Sequence, residues 1–173
     1  VTGVQTCALP ISDRLAAAAA RAGLRLQWQA VPFKRSLADL QHNASPLCVL
    51  GVFDTADRRR FARFSRPLLQ EEQQVFLAAR RTAEALRREP NAQAAVLNPQ
   101  FKLLVYDGVA YGGTWDRWIA ARQPPPLRAA AGTSRLPPML ARGHADFTIS
   151  VVSELQEMQA RGDADAAQLE VVQ

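Results

Sequence analysis

The sequence predicts an α/β fold, on three observations. Apolar runs of strand length recur at residues 47–53, 74–79, 101–106 and 147–152, each bounded by turn residues. Stretches with helical spacing separate them, the alternation expected when helices cover a largely parallel sheet. One αβ unit also recurs. Residues 40–49 and 140–149 each pass from a helix end, through a residue that tolerates positive φ (Asn43, Gly143), into a buried strand.

In chain order, Val1 to Ser12 carry no charged side chain, no helical period and no clean alternation. They lack the basic start and apolar centre of a signal peptide. They are similar to the translation of a sequencing-library adapter, of the kind metagenomic assemblies carry, so 1–12 is expected to be non-native. Residues 13–23 are alanine-rich and read as a helix that Gly23 stops. Residues 24–31 alternate apolar and polar, the period of a strand, and Pro32 closes it. Phe33, Leu37 and Leu40 form the stripe of an amphipathic helix over 33–43. Residues 47–53 are continuously apolar, as in a strand buried on both faces. Thr55 then suits a helix N-cap, with Asp57 in the first turn.

The second half alternates regularly. Strands are expected over 74–79, 101–106, 127–131 and 147–152, with a last one from 169. Helices are expected over 80–90, 91–97, 111–122, 136–142 and 153–160. Trp115 and Trp118, one turn apart, read as core residues of the third of these. The expected lobes are 13–78 and 79–173.

Composition narrows the function. Hydrophobic residues make up 48% of the 173, a globular rather than disordered content. No segment nears the ~18–20 apolar residues of a membrane span. The net charge is +5, but the arginines are scattered among acids. That reads as a solvated basic surface, and no nucleic-acid partner is expected. Cys7 falls in the first segment and Cys48 in an apolar run, which leaves no disulfide frame. His42 and His144 stand apart, so no metal site is expected. The sequence shows no nucleophile elbow, phosphate loop or dinucleotide fingerprint, so no catalytic residue and no cofactor is expected.

The most specific run ends an apolar stretch in Thr55-Ala56-Asp57-Arg58 and leads through Arg59, Arg60 and Arg63 to Phe64-Ser65-Arg66-Pro67. Before it stands Val31-Pro32-Phe33. After it come Val105-Tyr106-Asp107-Gly108-Val109-Ala110-Tyr111-Gly112 and Gly143-His144-Ala145-Asp146. In order and spacing these resemble the bacterial extracellular solute-binding proteins of family 3, over nearly everything from Asp13 onward. The resemblance implies a two-lobed periplasmic-binding-protein-like fold of type II. It is expected to be incomplete here, without the first strand and its binding loop and without the C-terminal return to the first lobe. It further implies non-catalytic capture of a small-molecule ligand, an amino acid or similar polar or carboxylate-bearing solute, in the cleft between the lobes.

In that resemblance Arg58 clamps the ligand carboxylate, for which a guanidinium offers a bidentate fork. Gly108, Val109, Ala110 and Tyr111 would present a helix N-terminus to an anion. Phe33 and Phe53 would stack on the ligand. The family's acid after the Gly-x-x-Asp strand is replaced by Ser150-Val151-Val152-Ser153-Glu154, where Glu154 is the one substitute. The implied partner is a membrane transporter permease, the implied location the periplasm, and the implied state a monomer. Two alternatives stay open. One is the extracytoplasmic sensing domain of a membrane signalling protein. The other is a small periplasmic dehydratase, with Glu154 as the acid–base candidate.

Overall fold

A computed structural model describes residues 8–67, 72–130 and 136–172. The chain divides into two compact units, Val1–Glu71 and Glu72–Gln173. The strand at 74–79 therefore opens the second unit.

The first unit holds helices α1 (Ala8–Arg21) and α2 (Phe33–His42) and a 3₁₀ turn at Arg58–Arg60. Helix α1 starts inside the segment set aside as adapter-like; Pro10 sits in its first turn, where no donor is lost. It ends at Gly23, φ 70°, as expected of a glycine stop. Helix α2 ends at Asn43, whose φ of 49° and N–H to the Asp39 carbonyl make a left-handed cap. The strands expected over 24–31 and 47–53 do not form, and no described residue of this unit lies in a strand. Their alternation is real, but a strand also needs a partner to receive its backbone groups. Leu24, Leu26, Trp28 and Val31 are left exposed.

The second unit is one five-stranded sheet with helices on both faces. Its strands are β1 (Gln74–Ala79), β2 (Leu103–Asp107), β3 (Leu127–Ala130), β4 (Phe147–Val151) and β5 (Leu169–Val172). They lie in the order β3-β2-β4-β1-β5. Pairings β2–β3 and β2–β4 are parallel, whereas β1 runs antiparallel to β4 and β5. The sheet is thus mixed, not largely parallel as the alternation suggested, because spacing along the chain carries no strand direction.

Period-two alternation builds two cores. Phe76, Ala78, Val105, Phe147 and Ile149 face one side with α3 (Arg80–Arg87), α4 (Ala92–Leu97) and α5 (Gly113–Ala121). Leu77, Leu104 and Ala129 face the other with α6 (Leu136–Ala141) and α7 (Val152–Ala160). Trp115 packs edge-on against Phe76 (5.6 Å) and Trp118 (5.2 Å), so both tryptophans belong to the first core.

Two polar ties brace the chain around the start of β2. Asp146 accepts from Lys102 N (2.7 Å) and from Arg81 Nη2 (3.1 Å), joining the starts of β2 and α3 to the turn before β4. Arg122, only 2% exposed, donates to the carbonyls of Val96, Asn98 and Phe101 beyond the end of α5.

Candidate functional site

The first unit gathers three of the expected residues. Thr55 Oγ1 accepts from Arg58 N at 3.3 Å, which starts the 3₁₀ turn. That turn swings the Arg58 side chain back onto the chain just passed. Its Nη1 donates to the Phe53 carbonyl at 3.0 Å, and its Cζ lies 5.8 Å from the centre of the Phe33 ring. Arg58 is 8% exposed; with Ala19 it is one of two buried residues among those of this unit whose side chains are described.

Its neighbours behave otherwise. Arg59 is exposed and forks onto both oxygens of Asp54 at 2.6 Å, holding that carboxyl below its usual range. Arg60 is exposed and pairs with Asp57 at 3.4 Å. Three consecutive arginines thus meet two fates, and the one at the Thr-x-x-Arg position is taken out of water. Burying a guanidinium is costly unless it is held. Here a capped turn, a carbonyl and a ring fix it in place.

In the second unit the other expected residues follow β2. Strands β3 and β4 flank β2 on opposite sides, reached through α5 on one face and α6 on the other. The carboxyl ends of β2 and β4 therefore border a topological switch point, where open α/β sheets hold ligands. The β2–β4 register covers Leu103↔Phe147 and Leu104↔Thr148, while β2–β3 continues to Asp107↔Ala130. Past that point Tyr106 N donates to Tyr111 Oη at 2.8 Å. Gly108 (φ 77°) and Gly112 (φ 100°) bracket this loop in backbone conformations that favour glycine.

Helix α5 begins at Gly113, not at Tyr111. Asp116 Oδ1 takes the Tyr111 N–H at 2.9 Å and so holds the loop outside the helix. Tyr111 is buried and clamps the loop through its hydroxyl, and its phenol is pushed up to about 12, chiefly by burial. Val109 packs against the first core, and Ala110 is half-buried. The structure brings Arg58, Phe33 and Phe53 together in one unit, and Gly108 to Tyr111 in the other.

Glu154, the one substitute for the family's acid, has a partner that the sequence reading did not single out. Ser150 Oγ donates to Glu154 Oε2 in the first turn of α7. Burial raises the Glu154 carboxyl above its usual range, and its charge adds to the upward shift that burial imposes on Tyr106. The serine four residues before an acid was the available signal. Among the described residues no three His, Cys, Asp or Glu gather as a metal would need, and no helix is long and apolar enough to cross a membrane.

The family model of the bacterial extracellular solute-binding proteins, family 3, matches residues 12–170. Among solved structures, an ancestral arginine-binding protein bound to arginine is similar, with a TM-score of 0.72 at 15% identity, over 93% of this chain and 66% of that one. The arginine-, lysine-, histidine-binding protein ArtJ from Geobacillus stearothermophilus gives 0.69 at 20% identity, over 94% and 65%. The ancestral amino acid-binding protein AncCDT-1, a precursor of cyclohexadienyl dehydratase, gives 0.68 at 16%, over 94% and 65%. The chain thus spans about two thirds of the length of these structures, and the likeness is one of fold, that of the type II periplasmic binding proteins. No curated protein matches.

Proposed function

The chain belongs to the bacterial extracellular solute-binding proteins of family 3, and we propose that it captures a small polar or carboxylate-bearing solute, an amino acid or similar, anchored on Arg58. The burial of Arg58 carries this reading. Arg59 and Arg60 remain exposed, while Arg58 is buried beside Phe33 and the Phe53 carbonyl with its orientation already set. A fixed guanidinium receives a carboxylate with little ordering left to lose. Phe33 and Phe53 supply apolar contact to the same ligand, and Gly108, Val109, Ala110 and Tyr111 form a second set of ligand contacts.

We place the captured solute's onward path with a membrane transporter, in the periplasm, and the binding protein as a monomer. The family's extracellular character supports the location. Relatives named for binding arginine, lysine and histidine favour an amino-acid ligand.

The test is thermal unfolding of the chain against a panel of amino acids, dicarboxylates and short hydroxy acids. A ligand at a hundred times its Kd stabilises by about 2.7 kcal/mol, which shifts the midpoint by several degrees. If no carboxylate raises the midpoint, the proposal is wrong.

One observation favours a second, enzymatic reading. The raised carboxyl of Glu154, held by Ser150 and coupled to Tyr106 and Tyr111, has the character of a general acid. A relative named as a precursor of cyclohexadienyl dehydratase accords with it. Product formed from a cyclic carboxylate, and lost in Glu154→Gln, would establish it; ligand binding without turnover would remove it.

A further inference from the structure

The second unit contains a cavity of about 150 Å³ bordered by the loop that follows β2. The apolar part of its lining is Val105 of β2, Val109 of the following loop, and Ile119 and Ala120 of α5, with Tyr111 beside them. Two charged residues complete the lining, Asp116 and Arg128. They stand in different chemical states. Asp116 already accepts the Tyr111 N–H and lies in the first turn of α5, where the helix end offsets its charge. Arg128, exposed on β3, lines the cavity, and its side chain has no hydrogen bond or ion pair among the described residues.

The size sets the class of occupant. Pockets for drug-sized ligands run from about 300 Å³ upward. A cavity of about 150 Å³ takes a body the size of one benzene ring. A compact branched chain fits that volume, and a carboxylate fits Arg128.

We propose that this cavity is a second, accessory binding site for a small branched aliphatic carboxylate, its hydrocarbon body against Val105, Val109, Ile119 and Ala120 and its carboxylate on Arg128. The site lies wholly within the second unit and contains no residue of the first. It shares Val109 and Tyr111 with the loop after β2, so an occupant also contacts that loop.

Isovalerate is the probe, read by methyl NMR on the whole chain. Ile119 lines the cavity, whereas Ile149 of β4 does not, and the two provide signal and control. The Ile119 methyl is expected to shift saturably at about millimolar isovalerate, with Ile149 still. Arg128→Ala should weaken this at least about tenfold, the usual cost of a hydrogen bond to a charged group. Ala120→Leu, which fills the cavity, should abolish it, and Arg58→Ala should leave it intact. Isobutanol, the same body without the charge, should bind at least about tenfold more weakly. An Ile119 methyl that does not move would overturn the proposal. So would a shift unchanged in Arg128→Ala, or equal affinity for isobutanol.

Discussion

The Arg58 guanidinium carbon lies 5.8 Å from the centre of the Phe33 ring, which joins the start of α2 to the turn that follows residue 57. The ring does two things for the proposed anchor. It attracts the cation through its face, and it excludes water from one side of the guanidinium.

Phe33→Leu keeps the apolar bulk and removes the π face. The expected loss is about 0.5–2 kcal/mol in ligand binding, with Phe33→Trp retaining or improving affinity. Calorimetric titration of the three proteins checks it. Equal affinity for all three would mean that the ring only packs.

The Tyr111 hydroxyl replaces a strand as the acceptor for Tyr106 N. Tyr111→Phe keeps the ring and removes that hydrogen bond, so unfolding should become easier by about 0.5–1.5 kcal/mol. Urea denaturation measures the change, and amide exchange at Tyr106 should quicken with it. An unchanged midpoint and unchanged exchange would show the bond contributes nothing.

Glu154 should give the second unit an acid-side stability profile. Burial raises its folded pKa above the ordinary value, with the Ser150 hydrogen bond opposing and the Glu157 charge adding. The folded state therefore holds a proton that the unfolded state releases at lower pH. Through the window between those two values stability falls as pH rises, and the penalty stays in force above it. Glu154→Gln should flatten that slope and stabilise the protein near neutrality. Urea midpoints across this window, for both proteins, decide the matter; identical profiles would contradict the assignment.

Much of the second unit was legible because its signals are local. Strands β1, β2 and β4 are apolar runs whose cores close on themselves, and Gly108 and Gly143 mark turns that need positive φ. The failures among the strands are non-local. Residues 24–31 and 47–53 carry strand periodicity, yet nothing in a single sequence says whether a partner will accept their backbone bonds. The reversed direction of β1 is equally silent.

The site divides the same way. Thr55 three residues before Arg58 marked the capped turn, but no feature of the triplet itself tells Arg58 from Arg59 or Arg60. Burial separates them, and that depends on where Phe33 falls in space. The cavity was invisible because Val105, Asp116, Ile119 and Arg128 meet only through the α5 crossover between β2 and β3.

The central claim is that Arg58 holds a ligand carboxylate. The most direct measurement is calorimetric titration of the chain, Arg58→Lys and Arg58→Ala, each with the best stabilising amino acid from the thermal screen. The account predicts a loss of about 2–5 kcal/mol in Arg58→Ala, with Arg58→Lys between because an ammonium cannot fork. Arg58→Ala, folded by circular dichroism and binding as tightly as the parent chain, would contradict it.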